Sequence, residues 1–264
     1  MSTISQSRRA RAVLASEWIK LRSLRSMRAT LAATALFSVA LSVLVCGPVG
    51  AHWSTFSAAR RAQFDPVDSS LNNIQLVAVF FGALGALVVT NEYGNGLIRS
   101  TFAATPQRGR VLAAKAVLFG VGALVASTVI VLAAFGAGQA MLAGRAPHAG
   151  LGDPGVLGQV LGGALYLTLA GLFGLFLGAV ARNTAVSVSA MFGVFLVLPV
   201  LVNSLPKDAL WQHTVPYLPS NLGVSLWHTH GSLFAAPWLA VVGLVGYVAV
   251  LGAAGMVQLR GRDT

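Results

Sequence analysis

Charge is what this sequence lacks. Only 9% of its 264 residues are charged, where a soluble domain carries about 25%. Water solvates a fold this poor in charge badly, which excludes an ordinary soluble domain and leaves a lipid bilayer as the solvent. Acidic residues are the scarcest: seven Asp and Glu stand against 18 Lys and Arg, for a net charge of +11. In a soluble protein that excess would suggest nucleic acid. Here the basic residues sit in short segments between long apolar runs, with no basic face interleaved with aromatics, so no nucleic-acid partner is expected.

Cysteine is nearly absent too. Cys46 is the only one, so no intrachain disulfide can form and the redox compartment cannot be inferred. It lies in an apolar run and reads as a small packing residue. The preceding Val43-Leu44-Val45 lacks the small residue that a lipidation cleavage site needs. A cleavable leader is not expected either. Arg8 and Arg9 resemble a charged start, but Glu17, Lys20, Arg22, Arg25 and Arg28 interrupt any apolar continuation.

Chemistry-bearing motifs are missing as well. No Gly-xxxx-Gly-Lys-Ser/Thr string is present to cradle a nucleotide phosphate. Gly150-Leu-Gly152-Asp-Pro-Gly155 matches Gly-x-Gly-x-x-Gly but follows no strand and precedes a membrane helix, which makes it a chance match. His228-Thr-His230, joined by His213 or His52, offers metal ligands without a cysteine or carboxylate pair, and no metal site is expected. No His, Asp or Glu lies inside any long apolar run. That argues against intramembrane proteolysis and against a proton-coupled carrier. No enzyme activity is expected of the chain itself.

What the sequence has is length of apolar run. About 20 apolar residues cross a bilayer core as a helix, which satisfies its own backbone hydrogen bonds. Six segments qualify: 29–47, 74–90, 111–138, 156–181, 184–203 and 234–259. Only Lys115 brings a charge into them. It stands near a helix end, where its stem can snorkel to the interface as an anchor. The expectation is an all-α membrane protein. It comprises a segment 1–28, a six-helix transmembrane domain 29–259 and a tail 260–264.

Basic residues orient the spans. One side collects Arg8, Arg9, Arg11, Lys20, Arg22, Arg25, Arg28, Arg99, Arg108, Arg110, Lys115, Arg182, Arg260 and Arg262, which is 14 of the 18. The other side keeps Arg60, Arg61, Arg145 and Lys207. Both termini are therefore expected in the cytoplasm of a cell carrying this chain in its cytoplasmic membrane. All five histidines fall outside.

Residues 10–28 place Leu14, Trp18, Leu21 and Leu24 on one helical stripe, with Arg11, Lys20 and Arg22 off it. This pattern suits an amphipathic helix lying in the inner interface. In the longest inner loop, Gly94 and Gly96 are expected to break the second helix. Leu97, Ile98, Thr101 and Phe102 can then form a short surface helix that ends at Pro106. The outer segment 204–233 holds Trp211, Tyr217 and Trp227 with several prolines. It is expected either to dip short helices into the outer interface or simply to cover the bundle. Gly158-xxx-Gly162 and Gly174-xxx-Gly178 in the fourth span suit close packing within the bundle.

Three of these segments carry a resemblance. Glu92-Tyr93-Gly94-Asn95-Gly96-Leu97-Ile98-Arg99, followed by Pro106-Gln107-Arg108 and Lys115, resembles the loop after the second helix of ABC-2 type transporter permeases. Ser16-Glu17-Trp18-Ile19-Lys20-Leu21-Arg22-Ser23 is similar to that family's amphipathic connecting helix, and Tyr217-Leu218-Pro219-Ser220-Asn221 to a segment before its last helix, especially in actinobacterial members. Many members have Thr where this chain has Leu97.

The resemblance implies a permease subunit of an ABC exporter. In that reading Glu92, Tyr93, Gly96, Arg99 and Arg108 contact a separate ATPase subunit, and Glu17, Trp18, Lys20 and Leu21 belong to the interfacial helix. It also implies a second permease copy, identical or related, and ATP used only by the partner subunit, with no cofactor held here. The alternatives are an ATP-independent secondary transporter or channel, and a structural or sensor membrane protein. The apolar spans suit a hydrophobic or amphipathic cargo, although lipid-facing helices need the same composition.

Overall fold

The computed structural model of the chain describes residues 25–94, 108–204, 209–228 and 236–260. All regular structure among them is helical. In chain order the helices are α1 (Arg25–Ala51), α2 (Ala58–Ala62), α3 (Pro66–Leu71), α4 (Ile74–Gly94), α5 (Arg108–Leu142), α6 (Val156–Ala181), α7 (Thr184–Phe192), α8 (Leu198–Asn203), α9 (Ala209–Thr214), α10 (Pro219–Val224) and α11 (Pro237–Arg260). A π-helical turn, Gly193–Val197, joins α7 to α8. Six stretches are long and apolar enough to cross a membrane: Met27–Ala51, Pro66–Asn91, Val111–Leu142, Val156–Ala181, Thr184–Val202 and Pro237–Gln258. These match the six expected spans. Residues 10–24 of the expected interfacial helix lie outside the described residues, and 25–28 belong to α1. The second helix is described as far as Gly94, and Gly96 lies outside the described residues.

Contacts fix the direction of each span. The end of the bundle where α1 begins is called the near end, and the opposite end the far end. Leu31 and Leu84 line one groove, while Ser38 meets Asn73, so α1 and α4 run antiparallel. Leu31 shares that groove with Phe119, and further along Ser42 bonds the carbonyl of Ala134, so α5 runs parallel to α1. Arg182 reaches the carbonyl of Gln258, which returns α11 to the near end.

The helix α6 is the axis of the bundle. It packs on α4, α5, α7 and α11. Its crossing with α4 brings backbone onto backbone: a Cβ on Gly85 would fall on the carbonyl of Gly171, and one on Gly174 on the carbonyl of Gly82. One turn further on, a Cβ at Gly178 would sit 2.9 Å from the Ala86 carbonyl oxygen. Lipid offers no hydrophobic preference between helices, so close approach through small residues is what holds such a pair. Gly162 likewise abuts the carbonyl of Leu226, whereas Gly158 faces open space. Three of the four paired glycines of this span therefore pack within the bundle.

The far half of α1, α3 and α5 is held by polar groups instead. Gln139 Nε2 donates to the Pro66 carbonyl at 2.8 Å and to Ser70 Oγ at 2.9 Å, and Gln139 Oε1 accepts from the Ala149 amide at 2.8 Å. Ser42 Oγ donates to the Ala134 carbonyl at 2.7 Å, and Asn73 Nδ2 to the Ser38 carbonyl at 2.7 Å. Cys46 Sγ lies 3.5 Å from Ser70 Oγ and is fully buried, as its packing role requires. In an apolar medium each unmade bond would leave a stranded polar group, so these side chains pair across helices.

Candidate functional site

Two regions of the molecule stand out: the near end, where the loop between α4 and α5 leaves the bundle, and a plug at the far end formed by 209–228.

At the near end α4 ends in a tied-down turn. Thr90 is buried, and Thr184 Oγ1 donates to its hydroxyl at 2.7 Å. That bond joins the end of α4 to the start of α7. Asn183 caps α7 by accepting the Val186 amide at 3.1 Å. Arg182 terminates α6 in the left-handed conformation, with φ of 53°, and its Nη2 donates to the Gln258 carbonyl at 3.1 Å. The ends of α4, α6, α7 and α11 thus form one linked platform. The helix α4 rests mainly on α6, α5 rests on both α1 and α6, and α4 and α5 barely touch each other.

Sequence-derived site residues distribute unevenly over this platform. Glu92 and Tyr93 fall in the last turn of α4, directly beyond Thr90, and Arg108 is the first residue of α5. Gly96 and Arg99 lie outside the described residues, as do Glu17, Trp18, Lys20 and Leu21. The short surface helix expected over Leu97 to Phe102 lies outside them as well. Lys115 departs from its expected role. It is buried at 5% exposure inside the bundle, so its stem does not run along lipid as an interfacial anchor.

At the far end the outer segment does more than cover the bundle: α10 is packed against α6, α11 and the π-turn. Pro219, Ser220, Leu222 and Gly223 are all buried. The ring of Tyr166 occupies the space that a side chain at Gly223 would need. Trp227 stacks on Tyr166 with centroids 5.4 Å apart. Trp211 is buried too, its Nε1 donating to the Val202 carbonyl at 2.8 Å. Of the three aromatics expected at the interface, only Tyr217 is exposed. Two hydroxyls at this contact, that of Tyr166 on α6 and that of Ser220 in the plug, are buried without a hydrogen-bond partner.

The plug is fastened to α3 by His228, whose Nδ1 lies 2.8 Å from Asp68 Oδ1. Asp65 prepares that site by capping α3, its Oδ1 accepting the Val67 and Asp68 amides at 2.8 and 3.1 Å. Among the described residues no three His, Cys, Asp or Glu side chains gather to hold a metal. His52 contacts the Pro48 carbonyl instead, and His213 is exposed. The Gly150–Gly155 string forms a turn in which the Gly150 amide donates to Asp153 Oδ2 at 2.8 Å, ahead of α6.

No protein-family model matches this chain, and no curated protein matches it. The reading of its function rests on its own residues. Sequence reasoning missed the plug and its His228–Asp68 fastening. The one available signal was Asp65-Pro66, a helix start that aims the following Asp68 into the bundle's far end.

Proposed function

We propose that this chain is the membrane-spanning permease subunit of an exporter, driven by a separate ATPase in the manner of the ABC-2 type permeases its motifs resemble. The observation that carries the reading is the position of the Glu92–Arg99 string. It begins in the last turn of α4, and α4 is the helix packed backbone to backbone on the central α6. A soluble partner gripping that string would move α4, and α4 cannot move without α6. Basic Arg99 and Arg108 suit acidic groups on such a partner. The positive-inside bias supports a cytoplasmic location for this end, where ATP is available. A second permease copy would complete the assembly, with the cargo path running between the two.

Affinity purification from native membranes in mild detergent tests the reading. The expected outcome is a soluble ATPase at equal stoichiometry, lost when Glu92 and Arg99 are both replaced by Ala. Glu92→Ala alone is expected to lower transport-coupled ATP turnover while the permease still folds. A preparation free of ATPase, from cells shown to express one, would overturn the proposal in favour of an ATP-independent transporter or channel.

A further inference from the structure

In its far half the helix α1 is tied to its neighbours by polar groups, where Ser38, Ser42 and Cys46 meet Asn73, Ala134 and Ser70. Toward the near end Met27 and Leu31 pack against the core, and a groove of about 170 Å³ opens between α1, α4 and α5. Its walls are Met27 and Leu31 of α1, Phe81 and Leu84 of α4, and Phe119 and Gly122 of α5. Phe81, Leu84 and Phe119 belong to the buried core and form its floor. A side chain added at Gly122 would meet nothing within 4 Å, so the groove is open at that wall. Among the described residues the one charged side chain in the lining is Arg28, which is exposed.

We propose that this groove holds one acyl chain of an anionic phospholipid, with the headgroup phosphate met by Arg28. The argument is one of matched chemistry. The groove lies within the span of α1 that is long and apolar enough to sit in a bilayer, so lipid tails are what surround it. Arg28 stands one residue beyond the start of that span, at the level where headgroups lie. A guanidinium there offers a planar fork to a phosphate, and anionic headgroups are drawn to basic residues at the membrane surface. A second copy of the chain fits less well. A twofold partner docked on α1 would bring its own Arg28 to the same end, setting like charge against like charge. The proposal is independent of any ATPase and stands or falls separately from the exporter reading.

Native mass spectrometry of the full chain in mild detergent tests it, with phosphatidylglycerol and phosphatidylcholine of identical oleoyl chains as probes. The wild type is expected to bind one phosphatidylglycerol about fivefold more tightly than phosphatidylcholine, the scale of one basic residue at a membrane surface. Arg28→Gln is expected to bring the two lipids to parity. Gly122→Leu, which fills open space and so leaves the fold intact, is expected to abolish retention of both. An unchanged thermal unfolding temperature of each variant verifies that the fold survives. Equal binding of both lipids by the wild type, a preference that survives Arg28→Gln, or lipid retention untouched by Gly122→Leu would each overturn the proposal. So would a dimer that excludes lipid from the wild-type groove.

Discussion

The spans Pro66–Asn91 and Val156–Ala181 have 67% and 72% of their most apolar stretch buried, whereas the other four spans have between 22% and 28%. Apolarity does not single out these two, since all six stretches are strongly apolar. In water the most apolar helix takes the centre. Here all six are surrounded by a medium as apolar as they are, and burial follows closeness of fit. The glycines of α4 and α6 permit a backbone-on-backbone crossing, so these helices occupy the middle. The peripheral helices carry their bulk outward. Val117, Val121, Val125 and Val129 form an exposed stripe along α5, and Val242 and Val250 are exposed on α11.

The comparison can be broken most severely at the crossing itself. Gly174→Leu would drive a side chain into the Gly82 carbonyl. It is expected to cost about 3 kcal/mol or more, the upper range for overpacking, seen as a large loss of folded protein in detergent melting. The same substitution at Gly158, on an open part of the same helix where nothing lies within 4 Å, is the control and is expected to leave the melt nearly unchanged. Equal effects at the two positions would show that closeness of fit is not what places α6 at the centre.

A smaller loss is expected at the far half of α1, α3 and α5, where polar bonds rather than glycines hold the helices. Gln139→Leu removes one acceptor and two donor contacts at once. At about 0.6 kcal/mol for each interhelical bond in a membrane protein, the cost is about 2 kcal/mol, read in the same melting assay. Tyr166→Phe is expected to move the other way. It deletes a buried hydroxyl that bonds nothing, and removing a stranded polar group is neutral or stabilising by about 1 kcal/mol. The smallest effect belongs to Asp68→Asn. The Asp68–His228 pair is partly exposed, at 31% and 25%, and such pairs contribute a few tenths of a kcal/mol. Its removal is expected to show mainly as faster proteolysis of the segment after His228, with the melt almost unmoved.

How much of this was legible in the sequence follows from the same contrast. The spans were readable because a helix in lipid must be long and apolar whatever its neighbours. The fourth span begins and ends at Val156 and Ala181 as read, the fifth runs from Thr184 to Asn203 as read, and the others differ by a few residues at their ends. The glycine pairs at 174 and 178 announced a close approach, though not the partner. The plug was not readable, because its prolines and aromatics fit an interfacial segment equally well. What buries Trp227 is Tyr166, about sixty residues away, and the gap left by Gly223. Lys115 was misread for a related reason: sequence gives depth along a helix but not which face turns inward.

The π-turn before α8 has a consequence for how the chain can change over generations. Pro199 has no amide hydrogen to offer the Phe195 carbonyl four residues earlier, and that carbonyl is served from a different span by Gln75 Nε2 at 3.3 Å. Losing Gln75 alone takes away a donor to an oxygen in an oily setting, while losing Pro199 alone gives that oxygen a helix donor that it can accept beside Gln75. Related sequences are therefore expected to lose Gln75 only where Pro199 is lost too, and that one-way dependence would tie the second span to the fifth without any coordinates at all.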